Sequence, residues 1–144
     1  MKPFTNELNR QNQKGLTLIE LLVVLAILAF LATLVAPRVI TYLGRAKSDV
    51  ARSQLANISS ALELFYFDMG RYPSVQEGLI SLVNEPGELA DWRGPYLKEE
   101  KGLTDPWGRD YLYTLINPDF FKVSSFGRDG EPGGEDEDQD LEKS

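Results

Sequence analysis

A membrane-length apolar stretch with one carboxylate near its start constrains this chain more than any other feature. Lys14-Gly15-Leu16-Thr17-Leu18-Ile19-Glu20 runs directly into Leu21-Leu22-Val23-Val24-Leu25-Ala26-Ile27-Leu28-Ala29-Phe30-Leu31-Ala32-Thr33-Leu34-Val35-Ala36. A helix needs about 20 apolar residues to cross a bilayer, and residues 16–36 supply that length. A charged side chain costs roughly 2.5–3.5 kcal/mol at the bilayer centre and less near its edge. Glu20 therefore requires a compensating partner. Lys2, Arg10 and Lys14 precede the run against one acid, Glu7. That positive flank places the N-terminal end in the cytoplasm and everything after Ala36 outside it. A secretory signal would have a shorter apolar core followed by a small-residue cleavage site.

Pro37 follows the run and predicts a kink, because proline removes a helical hydrogen bond. The helical pattern nevertheless resumes. Ala51, Leu55, Ile58, Leu62, Phe65 and Met69 recur at spacings of four and three and form one apolar stripe. Lys47, Asp49, Arg52, Gln54 and Asn57 fall mostly on the other faces. The expectation is a single helix from Leu18 to Met69, on the order of 75 Å long at 1.5 Å per residue. Its first half is apolar all round and its second half amphipathic. Gly70-Arg71-Tyr72-Pro73 stops it.

Ser74-Val75-Gln76-Glu77 reads as a capping box opening a second helix, with Leu79, Leu82 and Val83 on its buried face. Glu85-Pro86-Gly87 ends that helix. Beyond a loop around Trp92-Arg93-Gly94-Pro95-Tyr96-Leu97, the pattern becomes strand-like. Tyr111-Leu112-Tyr113-Thr114-Leu115-Ile116 and Phe120-Phe121-Lys122-Val123-Ser124 flank the turn Asn117-Pro118-Asp119. A hairpin is predicted, extended to a three-stranded antiparallel sheet if residues 95–98 join it. The amphipathic half of the long helix is the expected cover for its apolar face. The fold class is therefore α+β: a long N-terminal helix packed on a short helix and a small antiparallel sheet. The chain closes in a glycine-rich acidic segment, residues 127–140, with nothing in it to build a core.

Composition removes several kinds of chemistry. The 144-residue chain has no cysteine and no histidine. Disulfides, thiolate or imidazole zinc sites, cysteine nucleophiles and histidine triads are thereby excluded. A net charge of −7 argues against a nucleic-acid partner. Any metal would be a hard cation held by oxygens. Paired acids also serve hydrolysis, but a terminal loop on a small hairpin offers no cleft for it.

The Lys14-Gly15-Leu16 to Glu20 motif resembles the processing site of type IV pilins and of the pseudopilins of type II secretion. The resemblance implies that a prepilin peptidase cuts between Gly15 and Leu16 and that the new N-terminus, Leu16, is methylated. Phenylalanine is the commoner family residue there. Residues 1–15 would then be a leader, 16–36 the transmembrane or filament-core helix, and 37–144 a periplasmic domain. Cutting creates an amine at Leu16, one helical turn from Glu20. In an assembled bundle, the amine of one subunit can neutralise Glu20 of its neighbour. The family also carries a proline near Pro37, which gives that residue an expected conformational role in assembly.

The blocks Gly70-Arg71-Tyr72-Pro73-Ser74, Glu77-Gly78-Leu79, Trp92-Arg93-Gly94-Pro95-Tyr96-Leu97, Asp105-Pro106-Trp107-Gly108 and Tyr111-Leu112-Tyr113 narrow the resemblance. They look like the major pseudopilin family of type II secretion, general secretion pathway protein G, with the type IV pilin-like fold. The implied protein is a structural subunit and not an enzyme. It sits in the bacterial inner membrane as a single-pass protein and polymerises into a periplasmic pseudopilus that drives folded proteins across the outer membrane. The implied partners are further copies of itself, minor pseudopilins, the inner-membrane assembly platform and the prepilin peptidase. The alternatives are a type IV pilus major pilin, a minor pseudopilin, and a membrane-anchored calcium module that does not polymerise.

In the family, the loop after the last strand binds calcium (Ca2+) through a glycine-and-aspartate block and downstream acids. Carried over by position, Asp129 is the leading carboxylate, followed by Asp136 and then Glu137 or Asp138. Carbonyls of Ser124, Phe126 and Glu131 are the implied backbone ligands. Asp140 and Glu142 are expected to be solvated. A charge run of this kind otherwise reads as a disordered tail.

Overall fold

Uniform hydrophobicity gives way to periodic hydrophobicity within one helix, and that change organises the molecule. The structure is a computed structural model describing residues 15–87 and 89–144. Of the expected leader, all but Gly15 lies outside the described residues. The chain divides into two compact units, Met1–Val39 and Ile40–Ser144. Helix α1 covers Leu18–Met69, with Pro37 inside it. Its bounds are those read from the sequence.

In the first unit, the large apolar side chains of residues 18–35 each expose 45–83 % of their surface. This stretch is long and apolar enough to cross a membrane, with a mean hydropathy of 2.9 over its best window. The Thr33 hydroxyl donates to the Phe30 carbonyl at 2.7 Å, so the one hydroxyl in residues 21–36 is satisfied locally.

The second unit is built on the stripe. Ala51, Leu55, Ile58, Ala61, Leu62 and Phe65 are buried and meet Leu79, Leu82, Leu103, Tyr111, Phe121, Val123 and Leu141 in one core. The faces carrying Lys47, Asp49, Arg52 and Asn57 are exposed. Gly70 takes φ +68° after the helix, the left-handed stop that its lack of Cβ allows.

The capping box forms, but the helix it was expected to open does not develop. Glu77 N–H donates to Ser74 Oγ at 3.2 Å, and Ser74 N–H donates to Glu77 Oε2 at 2.7 Å. Gly78 then turns to φ +60°, and the chain continues only as a four-residue 3-10 helix, Leu79–Leu82. That short turn still buries Leu79 and Leu82, so the sequence pattern located the packing face correctly.

Strands β1 (Leu112–Asn117) and β2 (Phe120–Ser125) form the expected antiparallel hairpin, with Tyr113 opposite Val123. The third strand is a correction. Residues 95–98 run as an irregular segment in which Tyr96 and Leu97 N–H both donate to the Leu82 carbonyl, at 2.8 and 3.0 Å. β3 is instead Leu141–Lys143, which pairs antiparallel with β2. It adds to the sheet because Leu141 points into the core while Glu142 points out. Just beyond the acidic segment 127–140, Leu141 thus joins the core.

The aromatic blocks are scaffold. Phe65 meets the Tyr96 ring edge-on at 5.7 Å, and Tyr72 meets Phe121 at 4.9 Å. Trp92 Nε1 donates to the Ser81 carbonyl, Tyr96 Oη to Asp68, and Tyr113 Oη to the Pro73 carbonyl. Burial pushes the Tyr113 hydroxyl up to about 12, which keeps it a donor throughout the physiological range.

Candidate functional site

Two places carry charge that the fold itself does not require: the first turn of α1 and the loop between β2 and β3. At the first, Thr17 caps the helix. Its Oγ1 accepts the Glu20 N–H at 3.2 Å, and its carbonyl accepts the Leu21 N–H at 3.1 Å. Thr17-x-x-Glu20 therefore occupies the N-cap and third helical positions of a capping motif. A carboxylate there also meets the positive end of the helix dipole, worth about 0.3–1 kcal/mol. Part of the cost of Glu20 is thus offset within its own chain. The Thr17-to-Glu20 spacing carries this signal in the sequence, although the membrane-length run beside it draws the reading toward a partner chain. Gly15 and Leu16 precede the helix and are exposed.

The C-terminal loop is wound around two guanidinium groups. Arg109 donates through Nη1 to the Gly127 carbonyl and through Nη2 to the Arg128 carbonyl, both at 2.9 Å. Asp105 fixes the turn that carries Arg109. Its Oδ1 accepts the Trp107 and Arg109 N–H groups, and its Oδ2 accepts Ser125 Oγ at 2.6 Å. Arg128 in turn grips Asp138 with Nε and Nη2, at 2.8 and 2.7 Å, and Glu137 with Nη1 at 3.3 Å. Glu137 Oε1 also accepts Trp107 Nε1 at 2.9 Å. Gly127 sits at φ +67°, where a Cβ would lie 2.7 Å from the Glu137 carbonyl oxygen, so only glycine fits the crossing.

The expected calcium ligands are placed unevenly. Glu137 and Asp138 are brought together, both on Arg128. Asp129 Oδ1 accepts the Glu131 N–H at 3.1 Å, and its side chain stays within its own turn. Asp136 is exposed, at φ 53°. Ser124 lies within β2, opposite Leu112 on one side and Glu142 on the other. Phe126 is half-buried just beyond the strand, and Glu131 is exposed. Among the described residues no group of three acidic side chains stands ready to hold a metal.

Of the two acids expected to be solvated, Glu142 is exposed and Asp140 is partly buried. Glu142 pairs with Lys122 at 2.6 Å. Asp140 Oδ2 accepts the Gly133 N–H at 2.9 Å, while its Oδ1 is buried with no hydrogen-bond partner among the described residues. An orphaned buried carboxylate oxygen is costly unless a cation or donor meets it. The donor chemistry is of the kind a hard cation such as calcium takes: carboxylate and carbonyl oxygens on a glycine-rich turn, one carboxylate oxygen buried and unmet. Asp140 was missed because the sequence places it in a run of acids, where nothing marks one as facing inward.

Comparison with known proteins decides the family. Residues 38–144 match the family described as type II secretion system (T2SS), protein G, and residues 10–36 match the prokaryotic N-terminal methylation motif. The chain belongs to the type II secretion protein G family. Type II secretion system core protein G of Pseudomonas aeruginosa is 40 % identical over 139 residues, covering 93 % of this chain and 96 % of that protein. The protein of the same name from Xanthomonas campestris pv. campestris is 34 % identical over 141 residues, covering 97 % and 96 %. The crystal structure of the major pseudopilin from the type 2 secretion system of enterohaemorrhagic Escherichia coli superposes with a TM-score of 0.53. It is 29 % identical, over 67 % of this chain and 85 % of that one.

Membership in the protein G family accounts for the pairing of a methylation-motif helix with this particular sheet. The residues recognised in sequence as family blocks are the ones that tie α1, the 3-10 turn and the hairpin together, and the fold is that of a pseudopilin.

Proposed function

We propose that this chain is the major pseudopilin of its secretion system, a structural subunit with no catalytic role. It polymerises into a periplasmic pseudopilus that drives folded proteins across the outer membrane. The observation that carries this reading is the state of residues 21–35, where large apolar side chains lie all round the helix and are exposed in a single chain. Lipid accommodates that surface before assembly, and neighbouring helices accommodate it afterwards. Residues 1–15 act as the leader, residues 16–36 as the membrane and filament-core helix, and residues 37–144 as the periplasmic domain. The subunit is held in the inner membrane by one span. The assembly platform, minor pseudopilins and further copies of the chain are its partners, and the prepilin peptidase is its processing enzyme.

Glu20 would set the register between subunits. Cleavage after Gly15 would leave a methylated amine on Leu16, near Glu20, whose backbone N–H is capped at the first turn by Thr17. Pairing that amine with Glu20 of a neighbour neutralises both charges in an apolar bundle. Glu20→Ala is expected to abolish pseudopilus assembly and secretion while leaving membrane insertion intact. Unchanged secretion would refute the register role. The mass of the mature protein tests the processing: the cut after Gly15 plus one methyl group is expected.

Calcium is the second element of the proposal. Asp129, Asp138 and Asp140 would supply carboxylates, with Asp136 and Glu137 in reserve and carbonyls around Phe126 and Glu131 completing the set. Bound calcium would supply positive charge where the loop holds an excess of acids, ordering it for contacts between subunits. Adding EDTA to the calcium-loaded chain is expected to lower its melting temperature by several degrees. The reason is mass action: a ligand at 100 times its Kd stabilises by about 2.7 kcal/mol. An unchanged melt, with no metal by elemental analysis, would remove calcium from the picture.

A further inference from the structure

Residues 124–140 carry seven carboxylates and one base, Arg128. That base pairs with two of them, Glu137 and Asp138. All four oxygens of Glu137 and Asp138 are occupied: both of Asp138 and one of Glu137 by Arg128, the remaining Glu137 oxygen by Trp107. We propose that Arg128 is a built-in counter-cation for this loop, holding Glu137 and Asp138 when no metal is bound and giving them up when calcium binds. The proposal rests on the calcium reading above and adds a competition within the chain itself.

Three observations support displacement over permanent bonding. The Arg128 side chain is 55 % exposed, so it has solvent to move into. Solvent screens the pairs from the guanidinium side, which makes the clamp releasable even though the Glu137 and Asp138 side chains are only 15 % and 27 % exposed. The fork geometry is nonetheless good, two near-parallel bonds to Asp138, so the clamp outcompetes water when nothing better is present.

The third observation is the contrast with Arg109. Its guanidinium is packed against Gly130, where a Cβ would come within 2.7 Å of it, and it holds backbone carbonyls of Gly127 and Arg128. One arginine is built into the loop and the other lies across it. The clamp and the backbone also tie the same two segments, since Arg128 N–H donates to the Glu137 carbonyl at 2.9 Å. Release of the guanidinium therefore leaves the crossing of the two segments intact.

The consequence is quantitative. If the clamp is closed about nine-tenths of the time, the apparent calcium affinity falls about tenfold below that of an unclamped loop. The test uses the full chain in detergent micelles, with calcium binding measured by titration calorimetry and melting followed in EDTA. Arg128→Gln is expected to bind calcium about tenfold tighter and to melt several degrees lower in EDTA. Arg128→Lys keeps the charge without the fork and is expected to fall between the two. Matching circular dichroism of the calcium-loaded forms guards against misfolding.

Calcium binding by the wild type with an unchanged or weaker affinity in Arg128→Gln overturns the counter-cation proposal alone. Absence of calcium binding in every variant overturns the proposal together with the calcium reading on which it rests.

Discussion

Two stretches of α1 arrange their apolar side chains differently and meet opposite fates. Across residues 18–35 the large apolar side chains stay 45–83 % exposed, whereas Ala51, Leu55, Ile58, Ala61, Leu62 and Phe65 keep 2 % or less. Content and period both separate them, and period decides which face can be covered. In residues 51–65 the apolar positions recur every three or four residues and collect on one face, which a small sheet and a 3-10 turn can cover. In residues 18–35 they surround the helix, and no single chain of this size has a second layer to wrap it. The first pattern is completed by folding. The second is completed by lipid or by other copies of the chain.

That contrast breaks most readily at the core. Phe65→Ala removes a fully buried ring that meets Tyr96 edge-on. It is expected to destabilise the unit Ile40–Ser144 by about 3–5 kcal/mol, as large-to-small changes in packed cores do. Phe30→Ala is expected to leave the same unfolding transition unchanged while weakening assembly. Chemical denaturation monitored by Trp92 and Trp107 fluorescence measures both. Equal losses in the two variants would mean that the exposed stretch has a partner within the chain, and the contrast would fail.

A smaller effect probes where the self-contained stretch begins. Glu137 lies against Gly44 of α1, where a Cβ would come within 2.6 Å of its carboxylate, and Trp107 Nε1 donates to it from the other side. Trp107→Phe keeps the ring packing and removes that donor. A loss of about 1.5 kcal/mol is expected, the low end for a hydrogen bond to a charged acceptor, because this bond is only part-buried. A much smaller loss would indicate that Arg128 alone holds Glu137.

Legibility in the sequence divides along the same line. The bounds of α1, the stripe, the hairpin and the family blocks all rest on local periodicity or on turn residues, and each appeared where it was expected. β3 escaped because three residues carry no period, and its partner β2 lies sixteen or more residues earlier in the pairing of Ser125 with Leu141. The second helix shrank to a 3-10 turn because Gly78, one residue past the capping box, takes a left-handed φ. Asp140 and the Arg128 clamp were hidden for a different reason. Seven acids in one run look alike until folding decides which faces inward and which meets the single base. The Glu20 cap, in contrast, was written in the Thr17-to-Glu20 spacing and needed only to be read.

The smallest expected effect concerns how the amphipathic stretch is closed at its C-terminal end. Arg71 donates to Glu77 through Nη1 and Nη2, at 2.6 and 2.7 Å, just beyond the last turn of α1. This pairing, supported by the Ser74 N–H, holds the Glu77 carboxyl at about 2, well below its usual 4.5. A lowered folded-state value means that the group stabilises the fold above its unfolded value and loses that contribution as pH falls. The contribution is therefore complete above about pH 4.5 and is lost between pH 4.5 and about 2. Because the Arg71 side chain is 42 % exposed, solvent screening reduces it to about 1 kcal/mol. Glu77→Gln is expected to cost that amount at pH 7, with the wild-type and variant stability curves converging as pH approaches 2. A constant difference across that range would show that the carboxylate acts through shape rather than charge. In that case the end of α1 would be held by packing alone, as its buried stripe is.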